Sequence, residues 1–158
     1  MKPLHKMTYK EFGKLRFLDF FPRTKNFRAD HSGGLETGIG LACQEGYGFM
    51  TGFTSPADSN WQTAEMQLYF EGNDCPELEG HALLEPLGLN LRCGMASKQI
   101  KQAIGTPEEQ SKRWLRFIVG TKYPFYVGCL IGDKGLCRVW ICRKDLADKQ
   151  MKRESGRP

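Results

Sequence analysis

Hydrophobic and polar positions along the 158-residue chain change period several times, and each change marks an element. Thr8-Tyr9-Lys10-Glu11 is a T-x-x-E capping box. It opens a helix with Phe12, Leu15 and then Leu18 or Phe20 on one side, and Pro22 stops it. Residues 23–34 are polar and glycine-punctuated, which predicts a loop. Strands are predicted over 37–43 and 47–53, joined by the turn Gln44-Glu45-Gly46. A further strand over 64–70 alternates cleanly, with Met66, Leu68 and Phe70 inward and Glu65, Gln67 and Tyr69 outward. After an acidic loop over 71–79, the apolar stretch 83–91 is broken by Pro86 and Gly88 and reads as irregular.

The period then returns to that of a helix. Ala96, Ile100, Ala103 and Ile104 share one face, with Gly105 and Pro107 as the stop. Three strands follow over 112–119, 123–131 and 136–143, the last two joined by Gly132-Asp133-Lys134-Gly135. In these strands Leu115, Phe117, Val119, Phe125, Val127, Cys129, Ile131, Val139 and Ile141 form an aliphatic face. Trp114, Arg116, Ile118, Tyr126, Leu130, Arg138, Trp140 and Cys142 form the opposite, mixed one. The expected fold is α+β, an antiparallel sheet of about six strands with two or three helices packed on one face. One domain is expected over 1–143, and a charged, fraying tail over 144–158.

Charge alters this picture. The net charge of +5 suggests nucleic acid, but residues 35–91 contain nine acids and no Lys or Arg, and residues 92–158 hold fifteen bases against six acids. A local field of that size steers partners, or else acidic strands are neutralised by basic neighbours in one sheet. The six cysteines lack any C-x-x-C pair, so they read as core or surface thiols, with no metal and no cofactor expected. His5, His31 and His81 converge with no nucleophile motif, and no enzyme activity is expected. There is no apolar run of about 18 residues and no signal-like start, so a cytoplasmic protein away from membranes is expected.

The segment from Gly94-Met95 through Ile100 and Gly105 to Pro107 reads G-M-x-x-x-x-I-x-x-x-x-G-x-P. It is followed by Trp114-Leu115-Arg116-Phe117, an aromatic strand and Gly135-Leu136-Cys137-Arg138-Val139. This resembles the helix-and-three-strand unit of the outer-membrane lipoprotein SmpA and of beta-lactamase inhibitory protein. With Met66 to Phe70, the acidic loop and Leu84 to Leu89 upstream, the frame resembles immunity proteins of bacterial polymorphic-toxin and bacteriocin systems. Ala96 stands where that unit commonly has a capping Ser or Thr, so the helix start is expected to shift by one residue.

The resemblance implies an immunity protein that blocks a cognate toxin, a nuclease being one candidate, by occluding its active site or substrate groove. The expected contact residues are Glu65, Tyr69, Glu71, Asp74, Glu77 and Glu79 around the acidic loop, with Trp114, Arg116 and Trp140 on the mixed face. Aromatics and Arg dominate protein-binding hot spots. The competing expectation for that face is coverage by the N-terminal half, with guanidinium groups over the rings. The alternative function is a basic nucleic-acid-associated or regulatory protein using Arg143, Lys144, Lys149, Lys152, Arg153 and Arg157.

Overall fold

The computed structural model describes residues 1–16, 27–32, 39–44, 48–52, 62–69 and 84–156, the strands before residue 62 by backbone and register alone. Eight strands form one sheet: β1 (Phe27–Ser32), β2 (Ile39–Gln44), β3 (Gly48–Gly52), β4 (Thr63–Tyr69), β5 (Glu109–Gln110), β6 (Trp114–Val119), β7 (Phe125–Gly132) and β8 (Gly135–Arg143). Their order is β1-β2-β3-β4-β8-β7-β6-β5, and every pairing is antiparallel. The α+β class and the antiparallel sheet thus match expectation.

The expected count of about six strands is corrected to eight among the described residues. One extra strand, β1, occupies part of the 23–34 loop prediction. Its composition is polar, and only pairing with β2 makes it a strand. The other, β5, is two residues long, too short for any periodic pattern to reveal. Side chains are described on β4 to β8, that of Tyr69 excepted.

Among the described residues three α-helices accompany the sheet: α1 (Tyr9–Gly13), α2 (Ser97–Ile104) and α3 (Lys144–Ser155), with a 3-10 turn at Leu4–Lys6. The capping box of α1 is reciprocal. Glu11 N–H donates to Thr8 Oγ1 at 3.1 Å, and Thr8 N–H donates to Glu11 Oε1 at 3.3 Å. The helix is shorter than expected and ends at Gly13, while Leu15 beyond it is still buried. Thr63 Oγ1 donates to the Leu15 carbonyl at 2.7 Å, which ties this segment to β4. The second helix starts at Ser97 with Ala96 as its N-cap, so the expected shift does not occur. Gln99 Oε1 accepts the Ala96 N–H at 2.9 Å and supplies half of a capping box on its own. On this helix Ile100 is buried and Ile104 partly packed, whereas Ala96 and Ala103 are exposed.

Cross-strand register explains the two faces. Leu68, Val139, Cys129 and Leu115 make one row, and Met66, Ile141, Val127 and Phe117 the next. All eight are buried. They meet Leu4, Met7, Phe12 and Leu15 from the N-terminus, Leu84, Leu87, Leu89 and Leu91 from the irregular segment, and Ile100 of α2. Each such side chain contributes about 1.5–3 kcal/mol over leaving it in water.

Two expectations fail here. Residues 144–155 of the expected fraying tail are instead the helix α3 (Lys144–Ser155), and residues 157 and 158 lie outside the described residues. The helices are also not all on one face. While α1 and α2 cover the aliphatic side, α3 packs Ala147 against Tyr126 and Cys142 on the other. The chain turns straight from β8 into α3, and Lys144 N–H donates to the Pro124 carbonyl at 3.0 Å.

Candidate functional site: the aromatic and guanidinium face of the sheet

Three rows of residues cross the second face. Arg138, Leu130 and Trp114 form the first, with Tyr69 beside Arg138 in register. Gln67, Trp140, Gly128, Arg116 and Glu109 form the second, and Glu65, Cys142, Tyr126 and Ile118 the third. Gly128 stands at the centre, and its missing side chain is what lets two indoles close over the strand. A Cβ there would overlap Cη2 of Trp114, lie 2.6 Å from its Cζ2 and 3.0 Å from Cε3 of Trp140.

Around that glycine the aromatics join into one layer. Trp114 and Trp140 have centroids 6.4 Å apart, and Tyr126 stacks on Trp140 at 6.2 Å with 16° between planes. The Arg116 guanidinium lies 4.4 Å above the Tyr126 ring. It is gripped from outside by Glu108, at 2.8 Å from Nε and 3.2 Å from Nη2, and by Glu109 at 3.0 Å. Hydrogen bonding to Glu108 raises its pKa above the ordinary value. Trp140 Nε1–H donates to Glu65 Oε2 at 2.9 Å, joining β8 to β4.

The third row is latched to α3. Tyr126 O–H donates to Asp148 Oδ1 at 2.6 Å, and Lys144 Nζ donates to Asp148 Oδ2 at 2.6 Å. Hydrogen bonds from Lys144 and then Tyr126 hold the Asp148 carboxyl below the usual carboxylate range. Burial, and then the Asp148 hydrogen bond, push the Tyr126 phenol up.

Among the described residues, this face holds a groove of about 380 Å3 lined by Gln67, Trp114, Arg116, Leu130, Arg138 and Trp140. Apolar walls with a few polar groups at the rim are the makings of a binding surface. A second hollow of about 280 Å3 has, among the described residues, only the 85–92 segment in its wall. The sheet groove instead gathers side chains from four strands.

Of the residues expected from sequence, Glu65, Trp114, Arg116 and Trp140 come together on this one face. Tyr69 pairs with Arg138 by register. Glu71, Asp74, Glu77 and Glu79 lie outside the described residues. The competing expectation is half met. Guanidinium does lie over a ring, but the described N-terminal residues cover the aliphatic face, and α3 covers the Tyr126 end of this one.

The expected site omits Gln67, Leu130 and Arg138 of the groove, together with Gly128, Glu108 and Asp148. Gly128, inside an apolar strand, was the available sign, because such a glycine often marks close approach.

Other chemistry is weakly represented among the described residues. No group of three or more His, Cys, Asp or Glu side chains there could hold a metal. Burial pushes the Cys129 thiol up to about 12. Burial, with Glu65 nearby, does the same to Cys142, also to about 12. Both are thiols, not thiolates, at neutral pH. No described helix is long and apolar enough to cross a membrane. No family model matches this chain, and no curated protein or solved structure matches it either.

Proposed function

We propose that this chain is an immunity protein, a module that captures a cognate toxin domain and occludes its active site or substrate groove without chemistry of its own. The observation that carries the reading is the preassembled layer of Trp114, Trp140, Tyr126 and Arg116 beside an open groove. Its rings are positioned before any partner arrives, so little side-chain ordering is left for the moment of binding. Trp, Tyr and Arg are the residues that carry most interface energy when desolvated. The acidic segment with Glu71, Asp74, Glu77 and Glu79 adds a second contact, which would steer a basic toxin. The work is done in the cytoplasm, where the toxin acts.

The decisive experiment starts from the neighbouring gene. Its C-terminal domain should kill cells when expressed alone and be silenced in a stable 1:1 complex with this protein. A complex in which the toxin remains active overturns the reading. Glu77→Lys with Glu79→Lys should slow association, and unchanged kinetics would remove the acidic segment from the contact. Fifteen bases against six acids over residues 92–158 favour one second reading, a single-stranded nucleic acid stacked on the same rings. Tight, steeply salt-dependent binding of DNA or RNA would be its sign.

A further inference from the structure

Twice within this protein a guanidinium lies on an aromatic ring while a carboxylate holds its edge. Arg116 lies 4.4 Å from the centroid of Tyr126 and is gripped by Glu108 at 2.8 and 3.2 Å. Arg143 lies 4.4 Å from the centroid of Tyr9, and Asp145 holds it at 3.1 and 2.7 Å. Flat stacking combined with a two-point carboxylate contact is a property of arginine that lysine lacks.

The groove offers the same two parts without the cation. Trp114 and Trp140 are both half-buried, with centroids 6.4 Å apart and planes tilted by 37°. Among the described residues no cation lies over either indole. Glu109 stands at the groove's β5 end, in one cross-strand row with Arg116, Gly128 and Trp140. One of its oxygens meets Arg116 at 3.0 Å, and the side chain is 54% exposed. Its other oxygen has no partner among the described residues. Two carboxylates, Glu108 and Glu109, face the single guanidinium of Arg116, so this end is net negative and attracts a cation.

Two strand spacings of about 4.8 Å each separate Glu109 from Gly128, over which the Trp114 indole lies. A long basic side chain covers that distance with its stem on the rings and its head at the carboxylate. Arg138, already engaged in an interaction of its own, lines the wall on β8, three strands from β5. That is about 14 Å, beyond the Debye length of about 8 Å at physiological salt, so its charge decides little at Glu109.

We infer that the groove is a seat for one arginine side chain of the partner protein. Its stem crosses Trp140, its guanidinium lies on Trp114, and an N–H donates to the open oxygen of Glu109. An acidic side chain is repelled there, and a neutral one of the same shape loses both the cation–π and the charge-assisted contact. This inference rests on the reading that the aromatic face docks a protein.

The test is a titration of the isotopically labelled full chain with acetyl-Ala-Arg-Ala-amide, followed by NMR at the indole N–H signals of Trp114 and Trp140. The same tripeptide with lysine, or with citrulline as the neutral isostere of arginine, is the control. The arginine peptide should shift both signals saturably, binding about threefold tighter than the lysine peptide and about tenfold tighter than the citrulline one. Glu109→Gln should weaken arginine binding about fivefold, while Glu108 still holds Arg116. Trp114→Leu, apolar but without a π face, should weaken it by about the same factor. Thermal unfolding of both variants separates a lost seat from a lost fold.

No saturable shift, equal binding of the three peptides, or affinity indifferent to both variants overturns the inference. So does a 15-nucleotide oligothymidine that moves the same signals at lower concentration than the arginine peptide. A toxin complex of unchanged affinity with Glu109→Gln sinks this inference and leaves the immunity reading standing. Arginine binding as described, with no toxin captured, does the reverse.

Discussion

Trp114 lies across Gly128 so closely that a methyl group on the glycine would stand 2.6 Å from Cζ2 of the indole. The close approach of the two tryptophans over β7 depends on that one absent side chain. Gly128→Ala should displace Trp114 and Trp140 and destabilise the protein by about 1–3 kcal/mol, the usual cost of overpacking. Urea unfolding measures the loss, and near-UV circular dichroism reports the changed ring packing. An unchanged near-UV spectrum would show that the rings do not meet there.

The contact of α3 with the sheet should depend on pH in two directions. Asp148 has a lowered pKa, so its contribution is present above the ordinary carboxylate range and is lost as pH falls through the depressed native value. Tyr126 has a raised pKa, so its contribution is present below the ordinary phenol value and is lost as pH rises through the native one. Thermal unfolding across pH should show both limbs. Tyr126→Phe should shrink the alkaline limb, to which the raised Cys129 and Cys142 thiols also contribute, and cost about 1 kcal/mol near neutrality. An alkaline limb of unchanged size in this variant would assign it wholly to other groups.

Arg116→Lys keeps the charge but loses the fork that holds Glu108 at two nitrogens and the flat stack on Tyr126. Partner affinity should fall by about tenfold, with stability changed by no more than about 1 kcal/mol because the pair is partly solvated. Titration calorimetry on the complex and denaturant unfolding of the free protein separate the two effects. Full affinity in this variant would mean that charge alone matters at this position.

Thiol labelling checks the buried rows. Cys129 and Cys142, both pushed up to about 12, should resist iodoacetamide in the native state at pH 8. The half-buried Cys93 and Cys137 should be alkylated sooner. Peptide mass spectrometry over a time course reads each site, and early modification of Cys142 would show that α3 does not stay packed on the sheet.

One glycine at a turn gives a sharper packing test. Gly135 has φ of 95°, and a Cβ there would collide with the backbone of Gly94. Hydrogen bonds from Gly94 N–H to the Leu136 carbonyl and from Leu136 N–H to the Met95 carbonyl, both 2.9 Å, bring the lead-in to α2 against the start of β8. Gly135→Ala should cost more than the roughly 1 kcal/mol of an ordinary left-handed alanine, because backbone cannot step aside as a side chain can. A loss of 1 kcal/mol or less in urea unfolding would show that the two segments separate freely.

Local patterns carried much of this fold because their causes are local. The capping box at Thr8, the alternation through Met66 and Leu68, and the division of β6, β7 and β8 into an aliphatic and a mixed face all follow from backbone period and side-chain type. The same reasoning put Trp114, Arg116 and Trp140 on one face and gave Glu65 the outward side of its strand. Three features depended on distant partners. β1 is polar and becomes a strand through pairing, β5 is two residues long, and α3 lacks a strong apolar stripe and is held by Tyr126, Asp148 and Ala147.

By itself, then, the sequence determined an antiparallel α+β domain, its core face and the residues of a mixed outer face, since period and polarity act within a few residues. Tertiary structure alone decided that β4 lies beside β8 and brings Glu65 to Trp140, that α3 turns back over Tyr126, and that Gly128 leaves room for two indoles. It also set Arg138 across the sheet from Glu108 and Glu109, with the groove between them. Strand order and register are properties of long-range pairing, and no local period in the chain encodes them.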